Sequence, residues 1–166
     1  MGGWEPKFLN VKFLRADKTA PTSVITYPGH YPGANSQIAS LATITGNVTD
    51  NGAGPGETFV AVCLDDGGGN VKTGPNSCLS ATNGTFTESA PKYFKAAMGG
   101  ESPPTKTWTL GLSVSWTADT FYHILARSSD TVWNSEQVTV LPAGQANSQH
   151  IRFTIVTGAN TGAVTK

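Results

Sequence analysis

The sequence predicts an all-β protein, folded as a Greek-key β-sandwich of about seven to nine strands. Short segments alternate apolar and polar residues, and no window keeps the apolar spacing of three, four and seven residues that marks an amphipathic helix. Gly, Pro, Asn and Asp separate these segments, and the chain holds 19 Gly and 10 Pro. Alternating segments joined by long connections favour a sandwich over a barrel.

The strand segments follow one another along the chain, apart from one long irregular stretch. In the first segment Leu9, Val11 and Phe13 share a face, and in the last one Ile151 and Phe153 do so. The irregular stretch, 67–106, is predicted to hold a hairpin and a short helical turn at 91–96. We expect strands at 7–15, 22–27, 41–49, 58–64, 107–114, 121–128, 136–141 and 150–156.

Two aromatic residues have predicted structural roles. Trp108 is the best candidate for the large aromatic side chain that packs between the two sheets. Tyr122 comes three residues after Asp119, where sandwich domains place a tyrosine whose hydroxyl bonds to the upstream backbone. Both roles are structural, and neither indicates chemistry.

The composition is typical of a secreted, extracellular protein and excludes two classes of partner. Charged residues make up 13% of the chain, about half of the roughly 25% usual in soluble domains. The net charge is zero and the basic residues are scattered, so we expect no nucleic-acid partner. No run of 18 apolar residues occurs, so we expect no membrane span. The first four residues lack the charged and apolar regions of a signal peptide.

Cys63 and Cys78 lie on either side of a glycine-rich segment, 65–70, at a separation of 15 residues. If this segment turns a hairpin, the two cysteines come within bridging distance. A disulfide is favoured over two free, buried thiols because the composition is that of an extracellular chain. The spacing matches neither a zinc site nor a redox motif.

Three segments resemble bacterial immunoglobulin-like repeats, in the order and spacing of that family. The motifs that they resemble are D-x-T-A-P-T-S-x-I, I-T-G-x-A-x-D and Y-x-I-x-A-R-A-x-D. The segments are Asp17-Lys18-Thr19-Ala20-Pro21-Thr22-Ser23-Val24-Ile25, Ile44-Thr45-Gly46-Asn47-Val48-Thr49-Asp50 and Tyr122-His123-Ile124-Leu125-Ala126-Arg127-Ser128-Ser129-Asp130.

The resemblance covers about 17–156 and implies an immunoglobulin-like fold in a large, secreted, repeat-bearing surface protein with adhesive or structural roles. We accordingly divide the chain into an N-terminal strand and linker at 1–16, an immunoglobulin-like sandwich at 17–157 and a C-terminal tail at 158–166. The family has a G-N-x-E turn where this chain has Trp133-Asn134-Ser135-Glu136. The replacement of Gly by Trp puts the tight turn in question and makes Trp133 the candidate exposed aromatic.

The first strand segment, 7–15, is the part of the sequence most informative about partners. Its Val11-Lys12-Phe13 echoes Ile151-Arg152-Phe153, so it resembles the last strand of a preceding repeat. No Thr-Ala-Pro opening follows residue 156, which indicates a terminal repeat or a stand-alone subunit. We expect Leu9, Val11 and Phe13 to be donated to a neighbouring molecule by strand addition, and head-to-tail repetition of that contact makes a filament. The alternative is pairing with an edge of the same domain.

The candidate ligand groups are carboxylates rather than histidines. His123 and His150 occupy outward strand positions, so we expect both to be solvated, and His30 lies far from them in the sequence. In the immunoglobulin-like topology several acidic loops share one end, and hard oxygen ligands gathered there suit calcium. The alternative is that these side chains cap local turns. No other cofactor is predicted. The candidates are Asp17, Asp50, Asp130 and Asn134, with Glu57 and Glu136 at the same end.

No constellation of residues meets the requirements of an active site, so we do not predict an enzyme. The leading hypothesis is a structural or interaction module, either a subunit of an extracellular filament or a repeat of a surface adhesin. Its partners are then copies of itself or neighbouring immunoglobulin-like domains. The alternative is an accessory carbohydrate-binding module of a secreted hydrolase, in which Trp116, Trp133 and Tyr31 stack on sugar rings.

Overall fold

The computed structural model describes residues 17–99, 104–138 and 148–157. Within these ranges the chain is all-β and forms no helix. None of the described segments is a helix long and apolar enough to cross a membrane. The strands are β1 (Thr22–Tyr27), β2 (Gln37–Ile38), β3 (Thr43–Thr49), β4 (Pro55–Leu64), β5 (Cys78–Leu79), β6 (Phe86–Glu88), β7 (Phe94–Lys95), β8 (Ala97–Gly99), β9 (Thr105–Gly111), β10 (Thr120–Asp130) and β11 (His150–Ile155).

The strands form two sheets that pack together as a β-sandwich. One sheet has four strands in the order β1-β3-β9-β8. The other has seven, in the order β2-β11-β10-β4-β5-β6, with β7 also paired to β4. The short pairing of β11 with β2 is parallel, whereas β10 runs antiparallel to both of its neighbours, β4 and β11.

The six long strands lie on segments that the alternating pattern predicts, whereas the short strands come from the stretch without such a pattern or from loops. The expected hairpin within 67–106 is formed by β5 and β6. The expected helical turn at 91–96 is wrong. Its backbone bonds to the neighbouring strand instead, because β7 pairs with β4 and the Ala96 N–H donates to the Thr58 carbonyl.

Two other strand predictions fall partly or wholly beyond the described ranges. Residues 136–138 of the predicted segment 136–141 form no strand, and only Ser135 makes an isolated bridge, to Ser129. The remainder of that segment, the strand at 7–15 with Leu9, Val11 and Phe13, and the tail at 158–166 lie outside the described residues.

The core lies between the two sheets and takes one face of each long strand. Ile151 and Phe153, predicted to share a face of the last strand, are both buried on β11, as expected from the twofold period of a strand. The core cluster is Ile25, Ile38, Leu41, Ile44, Val48, Val60, Val62, Leu79, Ala96, Trp108, Leu110, Leu112, Tyr122, Ile124, Ala126, Ile151, Phe153 and Ile155.

Trp108 fills the centre of the core, as predicted, and its ring lies across Gly46 of the adjacent strand. A Cβ at Gly46 would lie 2.1 Å from Cζ2 of Trp108 and 2.2 Å from the Val24 carbonyl oxygen. The Trp108 Nε1–H donates to the carbonyl of Asn47 at 3.1 Å, which satisfies the one polar atom of the ring. Glycine is therefore required at 46 because the indole occupies the space of a side chain.

Tyr122 makes the predicted tyrosine corner. Its hydroxyl accepts the Thr117 N–H at 3.0 Å and donates to the Thr117 carbonyl at 3.4 Å, five residues upstream. The ring stacks on Phe153, with centroids 5.5 Å apart, and meets the edge of Trp116 at 5.0 Å. The corner therefore ties the loop before β10 to the aromatic part of the core.

Two sets of contacts connect the lateral sides of the sandwich in the described part of the chain. On one side, the Ser23 N–H of β1 donates to the Glu136 carboxylate at 2.6 Å, and the Ile25 N–H donates to the Ser148 carbonyl at 2.8 Å. On the other side, the segment 94–99 crosses between the sheets, since β7 pairs with β4 and β8 with β9. The contacts on β1 protect that edge strand from unwanted pairing.

Candidate functional site

Four predicted ligand residues meet at one end of the sandwich. Asp17 precedes β1, Asp50 follows β3 and Asp130 ends β10, and carboxylate oxygens of the three lie within 4.8 Å of one another. The Asn134 amide donates to Asp130 Oδ2 at 2.6 Å and to the Asp17 carbonyl at 3.0 Å. The name "aspartate end" is used below for Asp17, Asp50, Asp130, Val132, Trp133 and Asn134.

The carboxylates of the aspartate end also cap local turns. Asp50 accepts two backbone N–H groups of the loop at 52–54, at 3.1 and 2.6 Å, and Asp17 accepts a third at 2.6 Å. A Cβ at Gly52 would lie 1.9 Å from Asp17 Oδ2, so this close approach needs glycine. The hydrogen bond from the Thr19 hydroxyl is the largest influence that holds the pKa of Asp17 below its ordinary value.

The arrangement offers oxygen atoms of the kind that calcium prefers, and the same oxygens bond to backbone amides. Among the described residues, Asp17, Asp50 and Asp130 are the one group of three acidic, histidine or cysteine side chains close enough to hold an ion. The topology therefore brings these residues together as predicted. The turn-capping bonds are present, and calcium binding stays a prediction.

Two acidic residues expected at this end do not join the carboxylate cluster. Glu57 forms an ion pair with Lys95 of the adjacent strand β7. Glu136 is buried between the sheets, where it accepts hydrogen bonds from the Ser23 N–H, the Ser128 N–H and the Gln149 amide. Its carboxylate is drawn inward because these donors would otherwise be buried without an acceptor.

The turn after β10 keeps a closed geometry although Trp133 stands where the resembling repeats have Gly. Trp133 adopts a φ of 70°, in the left-handed region, and its N–H donates to the Asp130 carbonyl at 3.3 Å. The Asp130 N–H donates to the Asn134 carbonyl at 3.0 Å. The Trp133 side chain is 75% exposed and that of Val132 is 54% exposed. The predicted exposure of Trp133 is confirmed.

The expectation that His123 and His150 are solvated is wrong. Both point away from the main core, as predicted, but both are buried. His123 Nδ1 lies 2.8 Å from His150 Nε2, and His123 Nε2 lies 2.9 Å from Asp65 Oδ2. Asp65 is itself held by the Arg152 Nε–H at 2.7 Å. The outward face of β10 and β11 therefore carries a buried polar network.

The partners of these groups determine which imidazole nitrogens carry protons. An ionised Asp65 can only accept, so His123 Nε2 donates to it. In a neutral His123 the other nitrogen, Nδ1, is then an acceptor, so the His150 Nε2–H donates to it. His150 thus donates to His123, and His123 donates to Asp65, with one proton on each imidazole ring.

The surroundings lower the pKa values of all three histidines. Burial is the largest influence on each, and it lowers the pKa of His150 to about 4, with smaller contributions from His123 and His30. Burial also lowers the pKa of His123 and outweighs the opposing effect of Asp65. The pKa of His30 is lowered by burial and then by Arg152. Burial raises the pKa of Asp65, but the bonds from Arg152 and His123 outweigh it, and the net shift is downward.

The predicted disulfide is present. Cys63 of β4 and Cys78 of β5 pair directly across the two strands, with their Cα atoms 4.0 Å apart, and both are buried. The described residues contain no free cysteine. The glycine-rich segment between the cysteines turns the chain back, because Asp65 and Asp66 accept N–H groups from within it.

The three aromatic residues proposed for sugar stacking have different environments. Trp116 packs against Tyr122 and donates its Nε1–H to the Leu41 carbonyl at 2.8 Å. Tyr31 packs edge-on against Phe121, with centroids 5.0 Å apart. Of the three candidates, Trp133 alone is largely exposed. Sugar binding that needs all three side chains on one surface is not favoured by this arrangement.

The histidine network is the polar arrangement that sequence reasoning missed. The available signal was that His123 and Arg152 alternate with core residues on their strands, and the structure pairs these two residues. Comparison with known proteins assigns the chain to no family. No protein-family model matches the chain, and no curated protein matches it.

Proposed function

We propose that the chain is a non-catalytic structural or interaction module of an extracellular protein, with an immunoglobulin-like sandwich. It serves as a filament subunit or as a repeat of a bacterial surface adhesin. The N-terminal strand, with Leu9, Val11 and Phe13, joins it head to tail to copies of itself or to neighbouring immunoglobulin-like domains. The disulfide is compatible with an extracellular location.

The observation that carries this proposal is the conformation and exposure of Trp133. A non-glycine residue in the left-handed region costs roughly 1–2 kcal/mol, and a tryptophan in water forgoes the gain of burial. Val132 adds a second exposed apolar side chain beside it. Strain and apolar exposure at one position are typical of a contact site, because a partner surface can offset both.

The position of Trp133 relates this contact site to the N-terminal strand. The Asn134 side chain bonds to the Asp17 carbonyl, so the chain enters the sandwich directly beside the turn that carries Trp133. A neighbour attached through residues 1–16 is therefore close to the aspartate end.

The proposal is tested by the self-association of the full chain. We expect sedimentation velocity to show concentration-dependent assemblies and electron microscopy to show head-to-tail fibres. Deletion of residues 1–16 should abolish them, and Trp133→Ser should weaken them at least tenfold. Tyr27→Ser is the matched control, since Tyr27 is also partly exposed but lies at the far end of β1. A wild-type chain that stays monomeric up to high concentration would overturn the proposal, as would association that neither change affects.

The internal use of the ionisable groups supports a non-catalytic role. Glu136 serves buried amide and hydroxyl donors, and Asp65 and His123 serve each other. Hydrogen bonds within the fold satisfy these buried side chains, so a structural role is sufficient to account for their burial. A catalytic role would need at least one of them to face a bound substrate.

A further inference from the structure

The three histidines of the chain, far apart in the sequence, converge on one strand. His150 belongs to β11, His123 lies beside it on β10, and His30 bonds to the backbone of Arg152, also on β11. The sequence contains three histidines in total, so all of them are in this place. Outward positions of β10 and β11 would be exposed if nothing covered them.

The segment 28–36, called the strap below, covers the outer edge of β11. The Tyr31 N–H donates to the Arg152 carbonyl at 2.7 Å, and the Arg152 N–H donates to His30 Nδ1 at 3.0 Å. Further along, the Thr154 N–H donates to the Ser36 carbonyl at 2.8 Å. The strap thus extends the pairing of this edge beyond β2, which pairs with Thr154 and Ile155 of β11.

We propose that the three histidines form an acid-sensitive clasp, which holds the strap on β11 while the imidazoles are neutral and releases it when they are protonated. The clasp consists of His30, His123 and His150. The inference is independent of the proposed function, because it concerns an equilibrium within one chain.

The hydrogen bond from Arg152 to His30 requires a neutral imidazole. Nδ1 of His30 accepts the Arg152 N–H, and a protonated Nδ1 becomes a donor that faces another donor. The His30 ring would then carry a positive charge near the Arg152 guanidinium, which already disfavours its protonation. Protonation of His30 therefore removes one bond of the strap and adds a repulsion.

The His123–His150 pair reacts to acid in the same direction. One shared proton fits between Nδ1 of His123 and Nε2 of His150, but two protonated rings would place two donors 2.8 Å apart in a buried site. Asp65 stabilises a proton on His123, whereas His150 faces the positive charges of the other two histidines. His150 and His30 are therefore the members most sensitive to acid.

Three charged side chains of the described residues influence the pKa values of the clasp histidines. Asp65 and Asp66 follow β4, and Arg152 lies on β11. Arg152 also lies over the Phe121 ring at 3.8 Å, which keeps its charge in place. The two aspartates favour protonation of His123, and the arginine opposes protonation of His30 and His123.

The direction of the pH effect on strap release follows from the direction of the histidine pKa shifts. In the closed state the pKa of each histidine lies below its ordinary value, so acid favours release if the released imidazoles regain that value. For each proton taken up, the ratio of released to closed molecules rises up to tenfold per pH unit as the pH falls below about 6.5. Release leaves the outer N–H and C=O groups of β11 unpaired, as at an open sheet edge.

Amide hydrogen exchange of the full chain, followed by NMR from pH 7.5 to 4.5, tests the clasp. After correction for the intrinsic exchange rate, we expect the protection of the Tyr31, Arg152 and Thr154 amides to fall below pH 6.5. The fall should be up to tenfold per pH unit for each proton taken up. Amides of the β3–β9 pair, such as Thr45 and Leu110, are the internal control and should keep their protection. His30→Asn and His150→Gln place similar hydrogen-bonding atoms without a titrating ring, so each should flatten the dependence.

Two results would overturn the clasp. One is a fall in protection that is equal at the strap and at the β3–β9 amides, since it would indicate global unfolding. The other is a strap response that persists in the His30→Asn, His150→Gln double variant. Should that variant not fold, the ring proton shifts of the wild-type histidines decide the matter. They must titrate together with the strap amides for the clasp to stand.

Discussion

Nδ1 of His123 lies 2.8 Å from Nε2 of His150, so two buried imidazoles share one hydrogen bond between strands β10 and β11. The bond is possible because Asp65 fixes the tautomer of His123 from the other side. A residue pair that sequence alone assigns to the solvent thus becomes a buried, pH-dependent part of the sheet.

The stability of the protein should fall as the pH falls from about 6.5 towards 4. In that window the unfolded chain, whose histidines have ordinary pKa values near 6.5, binds more protons than the folded chain, in which the pKa of His150 is about 4. The free energy of unfolding should decrease by about 1.4 kcal/mol per pH unit for each proton. Urea denaturation at several pH values measures this free energy. His150→Gln should reduce its slope against pH by the contribution of close to one proton, about 1.4 kcal/mol per pH unit.

Removal of the disulfide should destabilise the fold. Cys63 and Cys78 close a loop over a separation of 15 residues, for which the loss of chain entropy in the unfolded state is worth about 3 kcal/mol. We expect the Cys63→Ala, Cys78→Ala double variant to lose about that amount in urea denaturation. A reducing agent should lower the wild-type stability similarly and leave the variant unchanged. Equal stabilities of the two proteins without reductant would contradict the prediction.

Gly46→Ala should destabilise the core. The added methyl group would overlap the Trp108 ring and the Val24 carbonyl, and the sheet must shift to admit it, at a cost of about 3 kcal/mol. Gly111→Ala is the matched control, since a Cβ there meets nothing within 4 Å. Thermal unfolding should separate the two variants by many degrees, and similar melting temperatures would show that Gly46 is not required by packing.

Glu136→Gln should be strongly destabilising although it changes only one charge. The carboxylate accepts from Ser23, Ser128 and Gln149, and the NH₂ group of a glutamine would place a donor against another donor. We expect a loss of about 3 kcal/mol in the free energy of unfolding. Glu88→Gln, at an exposed ion pair with Lys92, should change it by less than about 0.5 kcal/mol. A neutral effect of Glu136→Gln would mean that the site tolerates an amide.

Trp133→Gly should stabilise the isolated domain while it weakens association. Glycine adopts a φ of 70° without strain, and the exposed ring contributes little packing, so a gain of about 1 kcal/mol is expected. Trp133→Ala removes the ring but keeps the strain, and it should show no such gain. Calorimetry gives the stability, and sedimentation gives the association. If the two variants have the same melting temperature, the turn is not strained.

Part of the aspartate end was accessible from the sequence, because the loops that carry Asp17, Asp50 and Asp130 share one end in the predicted topology. The position of Glu136 was not accessible. The Glu136 side chain points towards buried N–H groups that have no other acceptor. One of these is the Ser23 N–H, which comes near Glu136 only because β1 packs beside the segment that follows β10. The loop order therefore predicted the cluster, and the packing decided its membership.

The sequence by itself determined the strands and their inward faces. A twofold alternation of apolar residues is a local property, and it located the six long strands and Trp108. The position of Tyr122 after Asp119 located the tyrosine corner, and the glycine-rich turn placed Cys63 and Cys78 within reach of each other. Only the tertiary structure decided what covers the outward faces. Alternation shows that His123 points away from the core, but its burial depends on distant segments, and these bring Asp65 and His150 to its two ring nitrogens.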